Sequence, residues 1–495
     1  MTRSRAATFL IPTATLPKVT LSKFDLLFGV ATGLLVLAFG YIYAGFVQDD
    51  AYITYRYARN LAAGEGFVYN AGEHVLGTST PLYALTIALC AKVTALPIPK
   101  IGHAIGLVSL WIATFALHKL GTSRGVTFSA VTSLLFLSSP FLRHMVGMEA
   151  FFLLAILLLA IWAYARERLW IASILVGALV LTRYEMVFFG AMLAFADWFR
   201  LRRRPIWLWQ AAAGIGAWLI YATLSFGSPI PLSGIAKLVS ARVPFVIGFL
   251  FYGSHFTREV GWLGAQAFLL LVGIVALLLR RDVHRVYGLL LVWSVAYFLL
   301  AAFFAGSFPW YYGPLLPGIA IATARGTEYL AGFPSLHRTA TRLPERVNMV
   351  RRVPFLLLSG ALLMTNFAFW IRDWRSYRGG AFDHRFEAFR EVSSWLRERM
   401  ADGETLAASE IGYIGYFTNI KIVDLHGLVT PSVHPWLAQG LESTTSRVIE
   451  HYSPTYVLIE TGEAPIEAYG LDSRYSLAAS FDAAYSIYAR MPGER

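Results

Sequence analysis

Residues 24–46 read FDLLFGVATGLLVLAFGYIYAGF, an apolar run that ends shortly before the acidic pair Asp49-Asp50. The polar stretch that follows, residues 49–83, reads DDAYITYRYARNLAAGEGFVYNAGEHVLGTSTPLY. Carboxylates are costly to place at the mouth of a membrane span, so acids kept there are candidates for function. The two stretches together therefore predict a membrane protein and the place where its chemistry occurs.

The composition is that of a polytopic membrane protein. Of 495 residues, 57% are hydrophobic and 15% are charged, and the mean hydropathy is +0.55. Soluble domains contain about 25% charged residues. Apolar runs of roughly 17–22 residues recur along the chain, as crossing about 30 Å of hydrocarbon requires. The first run is too long for a cleaved signal peptide, and no small-residue cleavage site precedes Asp49.

The net charge of +12 is spread over short loops, which excludes the single basic surface typical of a nucleic-acid-binding protein. The basic clusters are Lys119/Arg124, Arg166/Arg168, Arg200/Arg202/Arg203/Arg204, Arg280/Arg281/Arg285 and the segment from Arg338 to Arg352. They alternate with loops poor in lysine and arginine, as the positive-inside rule describes. The N-terminus is also basic, so we expect it in the cytoplasm and the acidic pair on the outer face.

We predict a mainly α fold with about 11 transmembrane helices and an outer C-terminus. The predicted spans are 24–46, 98–118, 125–141, 150–165, 169–184, 186–200, 207–226, 261–280, 286–306, 311–329 and 353–371. Residues 78–96 cannot also cross, because the charge alternation would then break. Their Thr78-Ser79-Thr80-Pro81 start instead predicts a capped helix at the outer surface.

The chain acquires ordinary polarity after Ile371. This change predicts a transmembrane module at 1–371 and a small extracytoplasmic α/β domain at 372–495. Apolar residues with a 3.6-residue period predict a helix before the stop at Asp402-Gly403; they are Phe386, Phe389, Val392, Leu396 and Met400. Strands are predicted at 405–409, 421–425, 455–460 and 484–489.

The predicted outer loops collect acids, bases and aromatic residues on one side of the membrane. They hold Asp49, Asp50, Arg56 and Glu73 in the first loop, Arg143, His144 and Glu149 in the second, Arg183 and Glu185 in the third, Lys237 in the fourth, and Trp310, Tyr311 and Tyr312 in the fifth. A carboxylate can take a proton from an incoming hydroxyl, and basic groups can hold a departing phosphate. The pattern favours glycosyl transfer from a polyprenyl phosphate whose tail stays in the bilayer.

A short helix is predicted directly after the acidic pair. Tyr52, Tyr55, Arg56 and Arg59 fall at i, i+3, i+4 and i+7. Residues at this spacing share one face of a helix, and we expect this short helix to run along the membrane surface.

The sequence resembles the GT-C glycosyltransferases, in particular their arabinofuranosyltransferase-like and mannosyltransferase-like branch. The strongest likeness is residues 49–83, and five strings follow in order: VGMEA (146–150), LTRYE (181–185), FGSPIPLSGIAKL (226–238), PWYYGPLLP (309–317) and EIGYIGYFTNIKIVDLHGLVTP (410–431). The chain departs from the family pattern at Leu232, where Asn is usual, and at Tyr184, where Pro is usual. We therefore expect a different donor or acceptor preference.

The resemblance implies an inverting reaction, in which an acceptor hydroxyl attacks the anomeric carbon opposite the lipid phosphate. It implies that Asp49 or Asp50 is the base, Glu149 a second catalytic acid and Lys237 a substrate-binding cation. It also implies a multi-pass protein of the bacterial inner membrane. The implied donor is a polyprenyl-phosphate-linked sugar, and the acceptor is a carbohydrate, a lipid or a protein.

Each site assignment has a structural alternative. Asp49 and Asp50 can cap a helix at 51–61, and Glu149 can cap the span that begins at residue 150. Several other candidates have alternative roles that involve no substrate. Arg143, Arg183 and Lys237 can extend their charged ends to the lipid headgroups, and Trp310, Tyr311 and Tyr312 can anchor the chain at the membrane interface. His144 can be an ordinary surface residue, and Glu410, Tyr413 and Asp424 can serve the fold of the outer domain.

No obligatory cofactor is predicted, because a monophosphate donor needs less charge neutralisation than a diphosphate. Asp49, Asp50 and Glu149 nevertheless offer ligands for a divalent cation. Cys90, the single cysteine, excludes an intrachain disulfide and a cysteine-based metal site. The alternative function is a transporter or flippase of a lipid-linked sugar. Such proteins often show repeated halves and midplane charges, and the sequence displays neither.

Overall fold

The computed structural model describes residues 21–240, 264–279, 285–304, 308–332, 345–378, 384–461, 469, 474–482 and 484–492. Its α-helices are Lys23–Ile42, Asp49–Ala63, Pro81–Thr94, Ile98–Gly121, Val126–Leu137, Ala150–Ala165, Leu169–Thr182, Val187–Ala196, Trp209–Phe226, Leu232–Ser240, Gly264–Leu279, Arg285–Phe304, Leu316–Leu330, Glu345–Arg378, His384–Arg399, Tyr413–Thr418, His434–Leu437 and Leu441–Tyr452. Short 3₁₀ turns are Pro140–Met145, Tyr184–Met186, Pro205–Leu208, Pro309–Leu315 and Pro431–Val433, and Asp197–Leu201 is a π-helix.

Helices occupy every predicted span, so the mainly α class is confirmed. In the described part of the chain, Lys23–Ile42, Ile98–Gly121 and Arg352–Arg378 are long and apolar enough to cross a membrane. Shorter apolar helices are Pro81–Thr94, Val126–Leu137, Ala150–Ala165, Leu169–Thr182, Gln266–Leu278 and Val286–Ala301. The total of about 11 crossings stays a prediction.

The chain forms two compact units. The first contains Met1–Phe46, Ala104–Ile215 and Pro244–Arg375, and the second contains Val47–His103, Gly216–Val243 and Ser376–Arg495. The second unit thus combines the first predicted outer loop with the C-terminal residues. The division into 1–371 and 372–495 stays a prediction, and the last long helix continues beyond Ile371 to Arg378.

Small residues allow close helix packing in the first unit. A Cβ atom at Gly273 would overlap the carbonyl oxygen of Ala322, and one at Gly326 would overlap that of Leu269. Helices Gly264–Leu279 and Leu316–Leu330 therefore approach each other backbone to backbone. Such contacts drive helix association in membranes, where lipid tails are as apolar as the side chains.

Three buried acids in the first unit pair with residues of the predicted cytoplasmic clusters. The pairs are Asp25 with Lys119 at 2.9 Å, Glu328 with Arg124 at 2.8 Å, and Asp197 with Arg203 at 2.7 Å. A buried charge is tolerated when a partner offsets its desolvation. Some of the basic residues in these loops therefore stabilise the fold by pairing with buried acids.

The second unit contains a five-stranded sheet of β1 (Thr405–Ala408), β2 (Lys421–Asp424), β3 (Tyr456–Glu460), β4 (Tyr475–Phe481) and β5 (Tyr485–Arg490). The spatial order is β2-β1-β3-β5-β4, with β1 parallel to β2 and β3, and β5 antiparallel to β3 and β4. Leu406 and Leu458 pack beneath helix His384–Arg399, whereas Ala407 and Val457 belong to a second core with helix Leu441–Tyr452.

The predicted α/β character of the C-terminal region is confirmed. Helix His384–Arg399 buries Phe389, Val392 and Leu396 as its period predicts, and all four predicted strands form. Strand β4 escaped prediction because its centre, SLAAS, consists mainly of small residues with low strand propensity.

The predicted surface helix at 78–96 forms as Pro81–Thr94, with Pro81 in its first turn. Its predicted side-chain cap is wrong, because Thr80 occupies the N-cap position without a capping bond. The Thr80 hydroxyl instead contacts the Thr54 hydroxyl at 3.2 Å. Both side chains are buried, so the hydroxyls satisfy each other.

Candidate active site

The acidic pair begins the helix Asp49–Ala63 in the second unit. Gln48 is the N-cap residue and makes no side-chain capping bond, so Asp49 and Asp50 both lie within the first helical turn. Carboxylates are favoured there by the helix dipole, as the structural alternative supposes. The Asp49 carboxylate, however, also bonds outside its own helix.

Both carboxylate oxygens of Asp49 accept backbone hydrogen bonds from the C-terminal part of the unit. The amide of Tyr413 donates to Oδ1 at 2.7 Å, and the amide of Gly412 donates to Oδ2 at 3.0 Å. Asp50 is half-buried like Asp49, but no described residue donates to it or pairs with it. The two adjacent acids therefore occupy different environments.

Arg56, predicted to bind substrate, is fully buried. Its Nη1 donates to the Gly415 carbonyl at 2.9 Å and its Nη2 to the Ile420 carbonyl at 2.7 Å. Its guanidinium also lies 4.1 Å from the ring centre of Tyr69. These contacts stabilise the fold, and the substrate role of Arg56 stays a prediction.

The predicted helix face is present, and aromatic residues of the C-terminal segment pack against it. Tyr52 lies 5.1 Å from the Tyr413 ring and 5.6 Å from the Phe417 ring, measured between ring centres. Tyr55 is completely buried. Helix Tyr413–Thr418 therefore covers this face, and the course of helix Asp49–Ala63 along the membrane surface stays a prediction.

Tyr69 and Asn70, which are not among the predicted site residues, form hydrogen bonds to the same C-terminal segment. The Tyr69 hydroxyl donates to the Ile411 carbonyl at 2.6 Å, and burial raises the pKa of this phenol to about 12. Asn70 donates from Nδ2 to the Ile422 carbonyl at 2.9 Å and accepts from the Ile422 amide at 3.2 Å. Since β2 is an edge strand, the Asn70 amide acts as a substitute strand neighbour.

Glu73, another predicted substrate-binding residue, lies near the same edge. Its Oε1 pairs with Lys421 Nζ at 2.7 Å, and its Oε2 accepts from Asn70 Nδ2 at 2.9 Å. Both members of the ion pair are partly exposed, so the pair contributes little stability. Asp424 serves the fold, because its buried carboxylate accepts the amides of His426 and Val429.

The first unit brings together four of the predicted residues. Glu149 Oε1 pairs with Arg183 Nη1 at 2.8 Å, and Arg183 Nε pairs with Glu185 Oε1 at 2.5 Å. Arg183 also lies 4.4 Å from the ring centre of Tyr311. Glu149 is the N-cap residue of helix Ala150–Ala165 but makes no capping bond. The ion pair, rather than a cap, thus fixes its side chain.

Arg143 and His144 belong to a second polar cluster of the first unit. Arg143 Nη1 pairs with Asp373 Oδ2 at 2.9 Å, and its Nε donates to His144 Nε2 at 3.3 Å. The buried Tyr43 hydroxyl donates to the same Asp373 oxygen at 3.0 Å. Asp373 was missed, although it follows the end of a predicted span as Asp49 does, which is the signal that identified Asp49.

The remaining candidates are aromatic or lie outside the described side chains. Trp310 and Tyr311 belong to the 3₁₀ turn Pro309–Leu315, and Trp310 stacks on Phe308 at 4.8 Å. Lys237 is part of helix Leu232–Ser240 and Tyr312 part of the 3₁₀ turn, but both side chains lie outside the described residues. In the described ranges, no group of three or more His, Cys, Asp or Glu could hold a metal ion.

Comparisons with known proteins identify the fold. A family model described as "Domain of unknown function (DUF8728)" matches residues 375–490. No curated protein sequence matches the chain.

Two solved structures of ArnT from Cupriavidus metallidurans are similar over nearly the whole chain. The form bound to undecaprenyl phosphate is 12% identical, with a TM-score of 0.58, and the match covers 96% of this chain and 99% of that one. The apo form is 13% identical, with a TM-score of 0.53 and coverages of 94% and 98%. The chain therefore has the fold of these ArnT structures.

Proposed function

We propose that this protein is an inverting glycosyltransferase that moves a sugar from a polyprenyl-phosphate donor to an acceptor hydroxyl. The observation that carries the proposal is the GT-C fold shared with undecaprenyl-phosphate-bound ArnT over 96% of the chain. The acidic pair in the first turn of helix Asp49–Ala63 supports it, because the reaction needs a carboxylate base. The acceptor is a glycan, a lipid or a protein hydroxyl.

The proposed chemistry is a single in-line displacement. The acceptor O–H bond breaks and its proton passes to an aspartate of the pair. The acceptor oxygen bonds to the anomeric carbon from the face opposite the phosphate. The bond from that carbon to the phosphate oxygen breaks, and its electron pair stays with the phosphate. General-base assistance of this kind is worth about 10²–10⁴-fold.

The other predicted residues keep their proposed roles in binding substrate, with Glu149 as a second catalytic acid. Arg143, Arg183 and Lys237 carry the charge that a phosphate attracts, and Trp310 and Tyr311 offer rings on which a sugar can stack. Arg183 is held between Glu149 and Glu185. An arginine fixed in this way presents its remaining donor in a defined direction.

We also propose the orientation and location. The N-terminus lies in the cytoplasm of a bacterial cell, and the acidic pair and the C-terminal residues face outward from the inner membrane. The alternation of basic loops along the sequence supports this orientation. Cysteine accessibility tests it: in a Cys90→Ala background, Arg447→Cys should react with an impermeant maleimide in intact spheroplasts, and Arg202→Cys only after lysis.

The decisive experiment is a transfer assay with the purified protein in lipid nanodiscs. A panel of radiolabelled polyprenyl-phosphate sugars is incubated with cell-envelope acceptors. We expect transfer with inversion for at least one sugar, and loss of transfer in the Asp49→Asn/Asp50→Asn double variant. Normal turnover in that variant overturns the proposal. So does movement of the lipid-linked sugar between leaflets without any transfer, which would instead indicate a flippase.

A further inference from the structure

The region that matches a family of unknown function bonds extensively to the first predicted outer loop. Both belong to the same compact unit. We propose that residues 411–422 form a clamp on the helix Asp49–Ala63, in which Asp49 is a positioning residue and Asp50 is the general base. The inference rests on the proposed function and assigns separate roles to the two acids.

Asp49 has the contacts of an anchor. Its two carboxylate oxygens accept the amides of Gly412 and Tyr413, which are consecutive in the chain. A proton taken up by Asp49 would weaken these bonds, because the charged form is the better acceptor. A catalytic base must gain and lose a proton in every turnover. Asp49 would therefore loosen its own helix in each cycle.

Asp50 has the contacts expected of a base. Its half-buried carboxylate has no partner among the described residues, so it can gain a proton without breaking a described contact. Successive residues of an α-helix point about 100° apart, so Asp50 leaves the helix in a different direction from Asp49. In the proposed step, Asp50 takes the acceptor proton as the new glycosidic bond forms and the phosphate departs with its electron pair.

Two glycines of the string 410–431 are required by the clamp. A Cβ atom at Gly412 would overlap the Asp49 backbone and carboxylate, and one at Gly415 would overlap the Tyr69 hydroxyl. Neither glycine has a positive φ. Their requirement is therefore one of space, because the C-terminal backbone lies directly against the acid-bearing loop.

Four further side chains extend the clamp along the loop. They are Arg56 on the carbonyls of Gly415 and Ile420, Arg59 on the carbonyl of Tyr416, Tyr69 on the carbonyl of Ile411, and Asn70 on both backbone groups of Ile422. Each contact joins a side chain of the loop to main chain of the C-terminal segment. Main-chain partners fix a position more firmly than flexible side chains, since ordering them costs less entropy.

The test compares single variants in the transfer assay. We expect Asp50→Asn to lower kcat about 10²–10⁴-fold and to remove the acidic limb of the pH–rate profile. Asp49→Asn and Gly412→Ala should each lower kcat about 10- to 100-fold through misplacement, with the acidic limb kept. The Asp49→Asn/Gly412→Ala double variant should be no slower than the slower single variant, because both changes break the same anchor. Asp50→Glu should recover part of the lost rate.

Two controls separate positioning from misfolding. Arg447→Gln, in an exposed pair of the same unit, should keep wild-type kinetics. Hydrogen exchange should accelerate in residues 49–56 and 412–416 of the Asp49→Asn variant, while β1 and β3 keep their protection. If Gly412→Ala does not fold, the kinetics and exchange of Asp49→Asn decide the matter alone.

The inference is overturned if Asp49→Asn loses the acidic limb while Asp50→Asn keeps it, or if Asp49→Asn leaves both kcat and exchange unchanged. These outcomes presuppose a wild-type protein that transfers sugar. A wild-type protein that transfers nothing from any donor in the panel overturns the proposed function instead, so the two failures are distinguishable.

Discussion

The acids of the two units are held in different ways. In the first unit, Glu149 is paired through one oxygen with the guanidinium of Arg183, which a second acid, Glu185, also contacts. In the second unit, Asp49 accepts two main-chain amides, and its neighbour Asp50 has no partner among the described residues. One arrangement depends on opposite charge and the other on backbone geometry.

The difference separates two ways of holding an acid in place. A carboxylate paired with a buried arginine is constrained, because neither partner can move away without leaving the other as an uncompensated buried charge. A carboxylate held by amides fixes the chain around it and leaves the next residue available for chemistry. In the proposed reaction, Asp50 therefore exchanges the proton, while Asp49 and the Glu149–Arg183 pair hold their surroundings in place.

The largest loss of stability is expected in the first unit, where an ion pair with Arg183 holds Glu149 in place. Replacing Arg183 by Met leaves Glu149 buried without a counter-charge, which should lower the free energy of unfolding by about 3–5 kcal/mol. Chemical unfolding in detergent micelles measures the loss. The double variant Arg183→Met/Glu149→Gln should regain much of the stability, because the buried charge is gone. A loss below about 1 kcal/mol in the single variant would mean that the pair is not desolvated.

A somewhat smaller effect is expected in the second unit at Arg56. Its replacement by Met leaves the buried Gly415 carbonyl and the partly buried Ile420 carbonyl without these donors, at about 1–3 kcal/mol for each unsatisfied buried group. We expect the free energy of unfolding to fall by about 3 kcal/mol in total, measured in the same way. Arg59→Met is the matched control, since Arg59 is more exposed, and it should cost less than about 1 kcal/mol. Equal losses in the two variants would mean that the deeper burial of Arg56 does not determine its larger contribution.

The secondary structure was largely predictable because its signals are local. Apolar runs predicted the helices, and the period of Phe389, Val392 and Leu396 predicted a core face that the structure buries. The position of Asp49 and Asp50 after a span was also a local signal. Asp373 follows another span in the same manner and was overlooked only because the chain there was assigned to a new domain.

The contacts that define the candidate site could not be predicted from local sequence patterns, because they join residues that are far apart in the chain. Asp49 bonds to amides 363 and 364 positions away, and an amide donor carries no side-chain signature. The spacing of Tyr52, Tyr55 and Arg56 predicted that they share one helix face, but not what covers that face. Main-chain carbonyls of the C-terminal segment accept from Arg56, and aromatic rings of that segment pack on Tyr52. No period in the sequence indicates such partners.

A smaller loss of stability is expected when Tyr69 is replaced, and its pH dependence should identify the Tyr69 phenol as the cause. Tyr69→Phe removes the bond to the Ile411 carbonyl, which should cost about 1 kcal/mol at neutral pH. Burial raises the pKa of Tyr69 to about 12, above the ordinary value of 10.0. A raised pKa means that folding favours the neutral phenol, so its contribution is complete below pH 10 and is lost as the pH rises toward 12.

The unfolding free energies of the wild-type and Tyr69→Phe proteins should therefore differ by a constant amount between pH 7 and 9. The difference should narrow between about pH 10 and 12. Comparing the two proteins cancels the titration of other tyrosines and lysines. A difference that stays constant across the higher range would mean that Tyr69 is not buried in the neutral form.

The smallest effect is expected on removing metal ions. The amides of Gly412 and Tyr413 already neutralise part of the charge of Asp49, so this carboxylate is poorly placed to recruit a cation. A monophosphate leaving group, moreover, carries less charge than a diphosphate and needs less electrostatic help. We therefore expect EDTA to change turnover by less than about twofold. A loss above tenfold that added Mg²⁺ restores would contradict this expectation and would direct the search for the ligand to Asp50, the acid that the backbone leaves unoccupied.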